Sequence, residues 1–164
     1  MSEVSASGVL LRPARKADAE LVFAMLRALA VAVGDAEAFA ATVEDVRRDG
    51  FGPAPRYETL IAELDGRPVG LLTLFATYST YKGRPCLHVN DLYVAPETRG
   101  RGVGRRLMAR ACRLARERGC CRVELKVLDN NEARDFYETI GMGATAEVAY
   151  SVEDQALADL AGED

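Results

Sequence analysis

Between Leu87 and Arg106 the chain reads LHVNDLYVAPETRGRGVGRR, a strand-like run that Pro96 stops and that gives way to a loop of glycines and arginines. Behind the loop, Val103, Leu107, Ala111, Leu114 and Ala115 recur at helical spacing with arginines opposite them. A strand feeding through such a loop into a helix turns backbone N–H groups outward at the helix start, where the dipole also favours negative charge. Glycines let that backbone approach an anion with no Cβ in the way. The chemistry that calls for this arrangement is phosphate binding.

Two common phosphate loops fail on spacing. A dinucleotide fingerprint needs a third glycine where Arg105 stands if counting starts at Gly100, and where Leu107 stands if it starts at Gly102. A Walker A loop needs Lys and then Ser or Thr after its last glycine, but Gly104 is followed by Arg105-Arg106. What stands there is Arg99-Gly100-Arg101-Gly102-Val103-Gly104, the pattern R-x-x-G-x-G.

That hexapeptide, placed between a strand and a helix, resembles the acyl-CoA-binding motif of the GNAT N-acetyltransferase superfamily. Asn130 to Gly141 (NNEARDFYETIG) looks like the N-x-x-A-x-x-[FL]-Y-x-x-x-G segment of the same superfamily, and Leu11-Arg12-Pro13 followed by Asp18 like its opening. The resemblance spans residues 8–150. It implies an α/β single-domain fold: a mixed, mostly antiparallel sheet with a central parallel, splayed strand pair and flanking helices. It implies acetyl-CoA as acyl donor, with backbone contacts from Leu92, Tyr93 and Val94. Pyrophosphate contacts fall to Arg99, Gly100, Arg101, Gly102, Val103, Gly104 and Arg105. Asn130 and Ala133 would lie alongside the CoA, and Tyr137 beside its sulfur. It also implies a homodimer with the C-terminal strand at its interface.

Within the superfamily the chain is most similar to the diamine (spermidine/spermine-type) and thialysine N-acetyltransferases. The resembling residues are Asp49-Gly50-Phe51-Gly52 before a Tyr-led strand, Tyr78–Tyr81, and Asn90-Asp91-Leu92-Tyr93-Val94. Those enzymes usually carry two adjacent acids where Asn90-Asp91 stands. Over Val31–Ala38 only Asp35 and Glu37 remain of an acidic channel, which argues against a short polyamine acceptor.

Acyl transfer from a thioester to an amine has two proton problems. An alkylamine of pKa ~10.4 is almost fully protonated at pH 7, and reversing that costs roughly 4 kcal/mol. The leaving thiolate gains from protonation as it departs. On the family match Tyr137 is the general acid; without it, Tyr137 reads as a core tyrosine on the stripe Ala133, Phe136, Tyr137, Ile140. Asp91 attracts the amine or relays its proton through water, or else makes a structural hydrogen bond at a strand irregularity. Asn90 orients the acceptor, since an amide cannot act as a base. His88 reads as a satisfied strand histidine. Asn130 can cap the following helix as well as touch CoA.

Around this site the chain reads as one domain, 8–164, behind a loose tail, 1–7. The element order is β-α-α-β-β-β-α-β-α-β: a strand at Val9–Leu11, a helix capped by Asp18, and a helix over 36–48, with a possible restart at Thr42 through a Thr42/Asp45 capping box. After a turn at Asp49-Gly50-Phe51-Gly52-Pro53, strands follow at Tyr57–Leu64, Val69–Thr77 and Leu87–Val94, the first two joined by an Asp65-Gly66 hairpin. The glycine-loop helix ends at Gly119. A strand at Cys121–Leu128, a helix at 131–140, a last strand at Ala144–Val152 and a short helix at 153–160 complete the order.

A net charge of −4 over 164 residues argues against nucleic acid, and the arginine-rich stretch from Arg99 to Arg122 suits a small polyanion better than a long one. Four cysteines without ligand spacing and a single histidine give no metal site and read as buried free thiols. No signal peptide or membrane-spanning run is present in the sequence, so the expected setting is the cytoplasm, away from membranes. The function that follows is transfer of an acetyl group to a primary amine of a small molecule. The alternatives are acetylation of a protein N-terminus or lysine, and a non-catalytic acyl-CoA-binding module.

Overall fold

The computed structural model describes residues 3–4, 8–128 and 130–162. The chain forms two compact units, Met1–Asn131 and Glu132–Asp164.

The first unit is built on a six-stranded sheet in sequence order: β1 (Glu3–Val4), β2 (Val9–Pro13), β3 (Glu58–Leu64), β4 (Arg67–Ser79), β5 (Arg84–Val94) and β6 (Val123–Leu125). All neighbours are antiparallel except β5 and β6. The strand Glu3–Val4 falls within the expected N-terminal tail; it pairs with Leu10 and Leu11 of β2. Asp65 and Gly66, at φ 52° and 74°, make the tight β3–β4 turn, the primed type that matches strand twist.

The two faces of the sheet follow from the strand period of two. On one face Ile61 of β3 packs with Ala19 and Val22 of α1 (Ala19–Ala32) and Val46 of α2 (Val43–Phe51). On the other face lies α3 (Val103–Glu117), which buries Val103, Leu107, Met108, Ala111 and Ala115. Leu114, expected on that stripe, is only half-buried. Gly70 of β4 allows α3 to come this close: a Cβ there would meet the Tyr93 carbonyl oxygen at 2.8 Å and Val103 Cγ1 at 3.3 Å.

Several boundaries shift for identifiable reasons. The second helix does not start at residue 36; it starts after Thr42, whose side chain accepts from the Asp45 N–H at 3.2 Å while Asp45 Oδ2 takes the Thr42 N–H at 2.9 Å. That reciprocal cap fixes the start. Gly50 and Phe51, expected in a turn, complete the last turn of this helix.

Asp18 precedes α1 but does not cap it with its side chain. Its carboxylate is taken instead by Arg12, at 2.8 and 2.9 Å, and by the Arg15 N–H at 2.7 Å. Arg12 also reaches Glu63 at 2.7 Å, tying β2 to β3 and to the start of α1. The Arg12 hydrogen bond, ahead of the others, holds the Asp18 carboxyl below its ordinary range. A carboxyl depressed by folding contributes stability above its unfolded pKa, and that contribution is lost as pH falls through the folded value. Asp18→Asn is therefore expected to cost roughly 1–3 kcal/mol at pH 7, measured by urea unfolding, with the gap to the parent chain closing below about pH 4.

In the second unit, α4 (Ala133–Thr139) and α5 (Asp154–Ala161) stand either side of residues 142–153, which form no helix or strand. The expected strand at Ala144–Val152 is thus absent. A strand is stable only when its backbone groups are paired. This stretch makes no ladder, and Val148 and Tyr150 stand exposed. No helix among the described residues is long and apolar enough to cross a membrane.

Candidate active site

The site begins with a register break. Along β4 and β5 the pairing runs Thr73↔Asp91 and then Leu74↔Val89, leaving Asn90 as an extra residue. A one-residue bulge of this kind re-aims side chains next to it. Here two consecutive residues, Asn90 and Asp91, both line one pocket instead of pointing to opposite faces. The strand irregularity entertained for Asp91 is real.

The pocket encloses about 530 Å³ between the sheet, α1 and α2, within the range of small-molecule sites. Leu26, Phe39, Val46 and Phe75 supply apolar wall. Its polar groups are Asp91, Asn90 and Thr73 from the sheet, Asp45 and Asp49 from α2, and Arg56 and Tyr57 just before β3. Asp45 and Asp49 are one helical turn apart, so they share a face of α2. Asp49 pairs with Arg48 at 2.5 Å, and that hydrogen bond chiefly holds its carboxyl down. Burial raises the Tyr57 phenol, with smaller contributions from Asp49, Asp91 and Asp45, so it remains protonated at neutral pH. Gly50 makes room for it, since a Cβ there would lie 3.2 Å from the Tyr57 hydroxyl.

Sequence reasoning missed this acidic wall. Asp45 registered only as a cap and Asp49 only as a turn residue, although their spacing of four on one helix was the available signal. Asp35 and Glu37, taken as the remnants of an acidic channel, are exposed and lie outside the pocket lining.

Beyond the bulge, β5 continues as Leu92-Tyr93-Val94. Its pairing with β6 is limited to Leu87↔Val123, His88↔Glu124 and Val89↔Leu125, so past Val89 that edge has no ladder partner among the described residues. The parallel pair is splayed, and β6 is shorter than the expected Cys121–Leu128 because β5 no longer accompanies it. His88 lies on the paired half, 4.9 Å from the Phe75 ring, and burial lowers its pKa despite the opposing Glu124.

After one turn at Pro96–Thr98 the same strand reaches the glycine loop. Gly100 and Gly102 have φ of 76° and 79°, with open space where a side chain would stand. Gly102 caps α3, whose first intrahelical bond runs from the Arg106 N–H to its carbonyl at 3.1 Å. Helix geometry therefore leaves the N–H groups of Val103, Gly104 and Arg105 without an intrahelical acceptor. Arg99, Arg101 and Arg105 are exposed around them. Of the arginines past Arg106, Arg113 and Arg116 lie exposed on α3 and Arg110 pairs with Glu117 at 3.5 Å. Arg118, just past the helix, bridges instead to Glu58 of β3 at 2.6 and 2.8 Å, and Arg122 pairs with Glu124 of β6 at 2.5 Å.

Of the downstream candidates, Asn130 is exposed and does not cap α4, whose cap residue is Glu132. Ala133 opens α4. Tyr137 is half-buried on α4 with its ring edge-on to Phe136 at 5.3 Å, and burial raises its hydroxyl above the usual range. The cysteines are not all buried as expected: Cys86 is, Cys112 is exposed, and Cys86 and Cys121 lie 3.3 Å apart as free thiols.

Comparison with known proteins agrees with this geometry. A family model described as "Acetyltransferase (GNAT) family" matches residues 26–142. The chain is 32% identical over 167 residues to a thialysine N-epsilon-acetyltransferase of Bos taurus, covering 94% of this chain and 98% of that one. It is 29% identical over 149 residues to a spermidine/spermine N(1)-acetyltransferase-like protein of Homo sapiens, covering 86% of this chain and 21% of the relative. Among solved structures, an integron cassette protein from V. cholerae shares the fold at a TM-score of 0.78 and 23% identity, over 95% of this chain and 99% of that chain. An aminoglycoside acetyltransferase from an uncultured soil metagenomic sample does so at 0.74 and 20% identity, over 91% and 97% of the two chains. The chain belongs to the GNAT acetyltransferase family and is an N-acetyltransferase.

Proposed function

We propose that the enzyme moves an acetyl group from acetyl-CoA directly to a primary amine of a small molecule. The observation that carries this reading is the layout of a single strand. β5 passes from Asn90-Asp91 in the pocket, through an unpaired edge at Leu92–Val94, into the glycine turn that caps α3. A donor held along that edge, with its pyrophosphate at Gly100 to Arg105, would run toward the acceptor pocket.

The residues take distinct roles in this reading. Leu92, Tyr93 and Val94 hold the pantetheine arm through backbone groups. Arg99, Gly100, Arg101, Gly102, Val103, Gly104 and Arg105 hold the pyrophosphate through convergent N–H donors and positive charge. Asp91 draws in the ammonium group and takes up its proton directly or through water, while Asn90 orients the amine. Attack of the free amine on the thioester carbonyl forms the C–N bond as the C–S bond breaks. Tyr137 gives the departing thiolate a proton, and the second proton that the nitrogen sheds as the amide forms restores the phenol through solvent. A phenol whose burial favours the protonated form suits that duty. Asn130 and Ala133 contribute to the CoA site by their match to the family segment.

The pocket favours a small acceptor over a protein segment because it is concave and about 530 Å³ in volume. The three lining carboxylates, Asp45, Asp49 and Asp91, outnumber the guanidiniums beside them, Arg56 in the lining and Arg48 paired with both Asp45 and Asp49, which favours a cationic guest. Among amino acid, diamine and other amine acceptors, the naming of the bovine relative for thialysine favours an ε-amine. The working form is a cytoplasmic homodimer, with residues 144–152 as the first place to look for its interface.

Thiol release from acetyl-CoA, measured across amino acids, diamines, polyamines and aminoglycosides, tests the reading. Stimulation by small amines supports it. Tight CoA binding with no stimulation by any amine sinks it in favour of a binding module, and stimulation by peptide amines alone sinks the small-molecule assignment.

A further inference from the structure

We propose that Thr73 is a positioning residue for the acceptor amine, holding one oxygen of Asp91 so that the other is presented to the amine. This rests on the acyltransferase reading of the pocket.

Thr73 sits on β4 directly opposite Asp91 and is only 1% exposed. Its hydroxyl makes two bonds, both to that residue: it donates to Asp91 Oδ2 and accepts the Asp91 backbone N–H at 3.1 Å. Asn90 Nδ2 donates to the same Oδ2 at 3.0 Å. Among the described residues, no donor reaches Oδ1.

The bulge explains why the hydroxyl is needed. The extra residue at Asn90 disturbs the ladder at Asp91, and a side-chain oxygen takes the N–H that a β4 carbonyl would otherwise receive. The same hydroxyl returns its proton to the carboxylate, fixing the Asp91 side chain in one orientation. One oxygen is then saturated. The other remains a strong acceptor for an ammonium N–H in the pocket. A carboxylate held this way need not lose rotamer freedom when the amine arrives, so the benefit falls on acceptor binding.

Thr59 provides an internal control. It faces Thr73 across the β3–β4 register and is nearly as buried, at 7% exposure, yet its Oγ1 has no hydrogen-bond partner. Removing that hydroxyl leaves volume and sheet intact and should not disturb Asp91.

The test compares Thr73→Val, Thr73→Ser and Thr59→Val in steady-state kinetics with the amine that best stimulates the parent enzyme. Thr73→Val is expected to raise KM for the amine about tenfold, with KM for acetyl-CoA within a factor of two of the parent. Thr73→Ser should restore the amine KM to within about threefold, and Thr59→Val should match the parent. A second readout needs no activity: hydrogen exchange of the Asp91 amide should accelerate in Thr73→Val and stay slow in Thr73→Ser. An unchanged amine KM in Thr73→Val overturns the proposal. So does a parallel rise in KM for acetyl-CoA, or failure of the serine to rescue. A parent chain that acetylates no amine defeats the acyltransferase reading itself. In that case the Asp91 amide still reports whether Thr73 holds Asp91.

Discussion

Tyr137→Phe is expected to lower kcat by roughly 10²- to 10³-fold while leaving the Kd for CoA within a factor of two. The substitution removes one oxygen and keeps the ring, so the edge-on contact with Phe136 survives and the helix loses nothing in packing. What is lost is a proton donor. The thiolate must then leave unprotonated or take its proton from water, and the cost appears only in the transition state, which is the signature of lowered kcat without weaker ground-state binding. Burial raises the Tyr137 hydroxyl, so the donor stays protonated through neutral pH, and loss of activity by its ionisation belongs to the alkaline limb of the profile. Burst and single-turnover measurements with the parent and the variant separate this from a change in product release. A variant with parent-like kcat removes Tyr137 from the chemistry. A Kd for CoA raised as much as kcat is lowered reassigns it to binding.

The parts of the fold legible in the sequence share a physical reason. Where a local rule is strong, the reading holds. Asp65-Gly66 could only be a tight turn, Thr42 and Asp45 could satisfy each other's backbone, and Gly119, at φ 68°, ends α3 as only glycine does cheaply. The glycine loop was legible for the same reason, since Gly100 and Gly102 adopt positive φ. What depends on distant partners was not. Residues 144–152 have a strand-like composition but no strand beside them, and composition cannot show an absent partner. Asp18 looked like a helix cap because nothing local reveals that Arg12 claims its carboxylate. In the pocket, Asp91 stood out through its motif. Asp45 and Asp49 join it only because α2 folds across the sheet face that carries Thr73 and Phe75. The sequence allows a strand irregularity at Asp91, but which residue is extra and which β4 side chain meets it depend on a distant partner, and that register turns Asn90 and Asp91 into neighbours on one face.

Gly102→Val should raise the Kd for CoA roughly 100-fold, and Gly34→Val should not. The two glycines make a matched pair: both have φ of 79°, and neither has a neighbouring atom within 4 Å of where a Cβ would stand. Valine therefore meets the same left-handed backbone at both sites, costing about 1–2 kcal/mol of stability in each case. Gly34 follows α1, where relaxing the backbone disturbs only the end of a helix. Gly102 caps α3, so relaxing it swings the N–H groups of Val103, Gly104 and Arg105 away from their common focus. Each charge-assisted hydrogen bond to a phosphate oxygen contributes about 1.5–3 kcal/mol, and spoiling one or two of them accounts for a 100-fold loss. Calorimetric titration with CoA beside thermal unfolding of both variants checks the prediction. Equal destabilisation with a Kd changed only for Gly102→Val assigns the pyrophosphate to this turn. Equal destabilisation with no change in Kd for either variant would move the donor's phosphates elsewhere and leave the glycine loop a purely structural entry to α3.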